Sequence, residues 1–173
     1  GVEFEFAKRE GPVFHHPLRE RKDIEKLRII EPEEDVSFLM KAIQIVRKEL
    51  EGKIPLIGFC GAPFTLASYI IEGGHSKNYV LTKSMMYQDR PTWEALMEKI
   101  SEVLIRYLNA QIRAGVQAVQ VFDSWVGCLS PRDYEEHVLP YSKKVMDGVD
   151  KKVPLIHFAT SSSTLLELMK QAG

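Results

Sequence analysis

Ile54-Pro55-Leu56-Ile57-Gly58-Phe59-Cys60-Gly61-Ala62-Pro63-Phe64-Thr65 is the stretch on which the fold turns. Its first half, 54–59, is apolar without alternation. That suits a parallel strand covered on both faces better than a surface strand. Gly61-Ala62-Pro63 then turns the chain. Thr65 is placed to cap a helix running through Tyr69 to Ile71, and Glu72-Gly73-Gly74 ends it.

The same unit recurs on either side. Upstream, Val36, Leu39, Ile43, Val46 and Leu50 are spaced as one face of a helix, with Pro32 at its start and Gly52 at its end. Downstream, a shorter helix is predicted over 78–87. Pro91 then opens a long one with Trp93, Leu96, Ile100, Val103, Tyr107 and Leu108 on one stripe, closed by Gly115. A second strand follows at 116–122 and a loop at 123–129. Ser130-Pro131-Arg132-Asp133 has the form of a capping box. Tyr134, Val138, Tyr141, Val145 and Val149 continue at helical spacing, with a kink expected at Pro140. A third strand is predicted at 153–158 and a last helix at 164–170. Segment 1–32 reads as an N-terminal extension, in which Gly11-Pro12-Val13-Phe14 is a short strand and His16-Pro17 breaks the pattern.

Strand and helix therefore alternate three times, with no hairpin turn between the strands. Such crossovers are right-handed and give a parallel sheet. The fold class is α/β, either an open doubly wound sheet or about three βα units of a (β/α)8 TIM barrel. No GxGxxG or GxxxxGK[ST] follows a strand, which weakens the nucleotide-binding version. Both architectures put their chemistry at strand C-terminal ends. Here those ends are 59–63, 122–125 and 157–160, and the apolar inner faces of Leu56, Phe59 and Phe122 should border them.

Composition narrows the function classes. The 173 residues suit one domain, and 45% hydrophobic with 27% charged residues fits a globular chain. Lys plus Arg number 23 against 24 Asp plus Glu, so there is no electrostatic case for nucleic acid or an anionic membrane. No apolar run reaches the length of a membrane span, and residues 1–10 lack the apolar stretch of a signal peptide. Cys60 and Cys128 form no CxxC and read as two reduced thiols of a cytosolic protein. The five histidines include no HExxH pair, and His15-His16 are adjacent rather than one turn apart. The chain starts without Met and stops after a helical pattern at Gln171-Ala172-Gly173, so it is expected to be cut at both ends.

The strand ends also carry a family resemblance. The stretch from Ile54 to Tyr69 resembles the P-L-I-G-F-x-G-x-P-[FW]-T-L-x-x-Y segment of the uroporphyrinogen decarboxylase family, and Ile70-Ile71-Glu72-Gly73-Gly74 completes it. Leu108-Asn109-Ala110-Gln111, Ala114-Gly115 and Phe122-Asp123-Ser124-Trp125-Val126-Gly127 resemble a second family segment. The likeness runs from about Glu33 to Gly173 and is looser before that. It implies a single (β/α)8 barrel of about twice this length, commonly a homodimer, in the cytoplasm or in a plastid, using no metal or organic cofactor. It also implies decarboxylation of the acetate side chains of a tetrapyrrole. A protonated pyrrole is itself an electron sink for departing CO2.

Residue by residue, the resemblance assigns Tyr69 to the substrate pocket, Ser124 to a substrate carboxylate, and Phe59 and Phe122 to the walls of the tetrapyrrole cavity. The family's catalytic aspartate is expected before Gly1, and its late histidine after Gly173. Taken alone, Tyr69 would read as half-buried packing and Ser124 as a loop cap. Asp123 beside Ser124 is a tempting acid, but the resemblance leaves it a structural hydrogen-bonding role. Gly61 and Pro63 should shape the turn and admit the ligand to the backbone. His75 reads as a surface substitution after Glu72-Gly73-Gly74.

Two other readings stand beside this one. Zinc-dependent corrinoid or thiol methyltransferases share the barrel and use a His-x-Cys after a strand. Here His157 is followed by Phe158 and Ala159, so the thiolate is missing, and nothing in the sequence suggests a carboxylate nearby to replace it. No metal is therefore expected at His157. The non-enzymatic reading is a binding or structural remnant without turnover.

Overall fold

The computed structural model describes residues 2–7 and 11–173; Gly1 and residues 8–10, part of the segment read against a signal peptide, lie outside the described residues. The chain opens with β1 (Phe4–Ala7) and β2 (Gly11–Phe14), paired antiparallel. The strand at 11–14 is as predicted, whereas its partner was not foreseen. Its alternating Phe4-Glu5-Phe6 is too short a run to separate from loop by pattern alone. The hairpin is tied to the body by the Phe14 N–H, which donates to the Gly73 carbonyl at 2.8 Å.

Helices α1 (Arg21–Lys26), α2 (Pro32–Asp35) and α3 (Ser37–Glu49) follow. The one helix expected after Pro32 is thus two, broken at Val36, whose φ of −131° and ψ of 36° leave the helical region. At the end of α1, Nζ of Lys99 donates to the carbonyls of Ile24, Glu25 and Leu27 at 2.8, 2.9 and 2.7 Å. One ammonium meets three carbonyls at a helix end, of which that of Ile24 also accepts from the Leu27 N–H at 3.1 Å.

The repeated unit begins with β3 (Ile57–Gly61) and α4 (Pro63–Glu72). Then come α5 (Val80–Gln88), α6 (Arg90–Ala114), β4 (Ala118–Asp123), α7 (Pro131–His137), α8 (Leu139–Gly148), β5 (Leu155–Ala159) and α9 (Leu166–Ala172). The strands lie in the order β3-β4-β5, both pairings parallel. This is three βα units in the connectivity of a (β/α)8 barrel, as the strand–helix alternation predicted.

Each strand starts two or three residues later than the apolar runs suggested. Pro55 and Pro154 sit at the entries of β3 and β5, and neither has an N–H to give a ladder. The Pro154 carbonyl still accepts from the Val119 N–H at 3.0 Å. The long helix α6 is as expected, with the Asp89 side chain capping the Thr92 N–H at 3.3 Å. Ser130 caps α7, accepting from the Asp133 N–H at 3.1 Å and donating to the Asp133 carboxylate at 2.7 Å. The kink foreseen at Pro140 is instead a break at Val138, which lets Pro140 occupy the first turn of a new helix, α8.

Strand alternation divides the residues between two faces. Gly58, Cys60, Val119, Val121 and Asp123 turn toward the helices, while Phe59, Gln120, Phe122, Ile156 and Phe158 turn the other way. The helix-side layer holds the core, where Trp93, Tyr134, Phe64 and Leu96 are fully buried. Leu56 belongs to this layer, packed against the core, so its placement on the inner face is corrected. Ile57 takes that place and is exposed. The inner face is therefore not covered as the apolar reading of 54–59 implied, for Phe59 is 61% exposed.

Candidate active site

Register sets the inner face. Gly61 lies level with Phe122, and Phe122 level with Phe158. The three aromatic rings consequently form a row, with Phe59 and Phe122 edge to face at 5.7 Å and Phe122 and Phe158 at 5.4 Å. Phe59 and Phe122 stand together on this face. Phe158 was not singled out. The strand 153–158 was foreseen, and counting by twos along it from the register with Phe122 would have found the third ring.

Phe59 is held from behind. The Gln111 side chain accepts from its N–H and donates to its carbonyl, both at 3.0 Å. A Cβ at Gly58 would lie 2.5 Å from the Gln111 amide oxygen, so residue 58 must be glycine for this clamp to close. Gly61 has a different reason from the one expected. Its missing Cβ makes room for Leu66, which would lie 2.9 Å away, rather than for a ligand.

Beyond the strand ends the aromatic row gives way to hydroxyls. Pro63 starts α4 and the helix N-cap is Ala62, so Thr65 is not the cap foreseen for it. Its hydroxyl instead donates sideways to Asp123 at 3.1 Å and accepts from the Trp125 N–H at 3.4 Å. One turn on, the Tyr69 ring stacks on Trp125 with centroids 3.8 Å apart. Burial pushes the Tyr69 hydroxyl above its usual range, so it stays a donor at neutral pH. Tyr79 and His75 also border Trp125, at 5.3 and 6.1 Å, with His75 exposed.

Ser124 sits between Asp123 and Trp125. It lines an open hollow of about 250 Å³ with Tyr79, Cys128, Thr160 and Ser161. Its carbonyl accepts from the Thr160 hydroxyl at 2.5 Å, which ties the end of β4 to the end of β5. Tyr79 and Ser161 both hold positive φ, at 52°, a conformation costly for such residues and concentrated at functional sites. Tyr69 and Ser124 are thus brought to one end of the sheet, joined through Trp125.

Asp123 is fully buried on the helix side and accepts from Thr65, in line with the structural role expected of it. The absence of a carboxylate near His157 is corrected, because Asp123 Oδ2 lies 3.7 Å from His157 Nε2. The two residues are far apart in sequence but on adjacent strands, which only the pairing β4–β5 reveals. Among the described residues, no three His, Cys, Asp or Glu side chains gather as a metal site would require. Cys60 is buried and its thiol is pushed up to about 12 by that burial.

The model of the family described as uroporphyrinogen decarboxylase matches residues 1–173. The chain belongs to the uroporphyrinogen decarboxylase family. It is 58% identical over its whole length to the uroporphyrinogen decarboxylase of Carboxydothermus hydrogenoformans, and 55% identical to that of Sorangium cellulosum. In both cases it covers 50% of the relative, so the chain spans about half the length of the curated relatives it matches. Among solved structures, a methyltransferase from Methanosarcina mazei superposes with a TM-score of 0.78 at 21% identity, over 100% of this chain and 51% of that one. That likeness concerns the fold alone. Among the described residues, no helix of this family member is long and apolar enough to cross a membrane.

Proposed function

We propose that this chain is part of a uroporphyrinogen decarboxylase, which converts uroporphyrinogen to coproporphyrinogen by removing CO2 from the acetate side chains. The observation that carries the reading is the match to decarboxylases along the whole chain, up to 58% identical. Supporting it is a face suited to a large flat ligand, the row Phe59, Phe122 and Phe158, with Ser124 following the end of β4 and Tyr69 joined to that loop through Trp125.

The chemistry divides between ring and rim. A proton adds to the pyrrole carbon next to the one bearing the acetate, making the ring cationic. The bond to the carboxylate then breaks, its electron pair flows into the ring, and CO2 leaves. A second proton converts the exocyclic methylene to a methyl group, and the proton first added leaves the ring carbon, restoring the aromatic pyrrole. The ring is its own electron sink, so the reaction calls for no metal or organic cofactor. An acid facing the pyrrole nitrogens, expected from a segment ahead of Gly1, would stabilise the cation. The part of this chain is to hold the macrocycle by its faces and edges, with Phe59 and Phe122 as walls and Tyr69 and Ser124 as donors to carboxylates. On the resemblance alone, the whole enzyme is a cytoplasmic homodimer.

The test is anaerobic incubation of the complete polypeptide containing this chain with uroporphyrinogen, in chelator and without added metal. Coproporphyrinogen is the expected product. A folded, monodisperse preparation that released no CO2 would overturn the reading.

A further inference from the structure

Asp123 ends β4 on the side of the sheet away from the aromatic row, completely buried. One of its oxygens accepts from Thr65, while the other has no hydrogen-bond partner and faces His157 at 3.7 Å. The His157 side chain is 7% exposed, and neither ring nitrogen has a hydrogen-bond partner. A carboxylate removed from water is expensive to keep unless something opposite compensates it. The imidazole of His157 is the group that lies opposite the free oxygen. Burial raises the Tyr134 hydroxyl above its usual range, and the nearby Asp123 carboxylate adds to the rise.

This pair cannot touch a ligand on the inner face, yet both of its outlets lead to the loop that follows β4. Through Thr65 it reaches the Trp125 N–H, and the Trp125 ring lies on Tyr69. Through the backbone, Asp123 is the residue before Ser124. Resting on the decarboxylase reading, we propose that Asp123 and His157 are a buried positioning pair that sets, by way of Thr65 and Trp125, how Tyr69 and Ser124 meet the carboxylates of a tetrapyrrole. They are positioning residues, not catalytic ones.

Asp123→Asn keeps the volume and an oxygen for Thr65 but loses the charge facing His157. Thr65→Val loses the hydroxyl that joins Asp123 to Trp125, and Thr65→Ser restores it. In the complete polypeptide, Thr65→Val should lower kcat/KM by about tenfold or more, as expected for loss of a hydrogen bond to a charged group. Asp123→Asn should lower it too, by removing the charge that orients Thr65 and faces His157. The loss should fall mainly on KM, and partly decarboxylated intermediates should accumulate. Thr65→Ser should recover most of it. Asp123→Asn combined with His157→Gln should lose less than the product of the two single effects, because the residues act as one unit. Near-ultraviolet dichroism of Trp125, read in a Trp93→Phe background, should change with Thr65→Val and return with Thr65→Ser. Wild-type kinetics and intermediates in both Asp123→Asn and Thr65→Val would overturn the proposal, and so would losses that track melting temperature alone. A wild-type protein that does not decarboxylate would overturn the functional reading and this proposal together.

Discussion

Trp125, in the loop after β4, lies against Tyr69 on α4 with ring planes tilted by 38°. The contact locks the loop carrying Ser124 to the helix carrying the second hydroxyl, so one aromatic pair sets the spacing of two candidate donors.

Tyr69→Phe should therefore separate chemistry from architecture. The ring stack survives and one hydroxyl is lost, at a cost of about 1.5–3 kcal/mol if it donates to a carboxylate. That is roughly one to two powers of ten in kcat/KM, with melting temperature unchanged. Steady-state kinetics of the complete polypeptide would check it.

Gln111→Leu should act on stability instead. It leaves the N–H and the carbonyl of Phe59 without their side-chain partner. A loss of about 1–3 kcal/mol is expected for the two hydrogen bonds together, read from the midpoint of urea unfolding. Gly58→Ala should be harmful too, because its Cβ would enter the space of the Gln111 amide.

Acid should loosen the start of α7. Burial works against ionisation of Asp133, but hydrogen bonds from the Ser130 and Tyr87 hydroxyls and the Ser130 backbone prevail and hold its carboxyl below the usual range. The sign follows from linkage: the contribution is complete above the ordinary Asp value of about 3.9 and is lost as pH falls through the lower folded value. Ser130→Ala should raise the Asp133 pKa, measured by NMR titration, and cost about 1 kcal/mol as a lost cap.

Thiol labelling offers a separate check on burial. Cys60, pushed up to about 12, should resist a thiol reagent at pH 8 until the protein unfolds. Cys128 is only half-buried, with a smaller upward shift, and should react first.

The 173-residue chain made alone is expected to self-associate and not to decarboxylate. Ile57, Phe59, Ile156 and Phe158 present an exposed apolar face on a sheet with two open edges. Light scattering and an assay for coproporphyrinogen would test both halves of this expectation.

Much of the fold could be read from local pattern. The order of strands and helices followed from apolar runs and caps, and the Ser130 box is visible in four residues. What stayed hidden depends on pairing. The antiparallel partner of β2, the third ring Phe158 and the approach of Asp123 to His157 all need the register between strands, which no single segment encodes. The breaks at Val36 and Val138 were missed because helical spacing of apolar residues continues across them. Thr65 was misassigned as a cap because Pro63 already starts the helix and frees the hydroxyl for Asp123.

The alternation along β4 has a consequence for how such a chain can change over time. Val119, Val121 and Asp123 are sealed against the helices, while Ala118, Gln120 and Phe122 border the open side. Every second letter of this strand answers to the interior of the protein, and the letters between answer to whatever molecule lies on the sheet. Apart from Asp123, which Thr65 ties to Trp125, drift at one set need not disturb the other. A saturation scan of 118–123 would then show tolerance rising and falling with a period of two, and a new ligand preference could arise without any repair to the core.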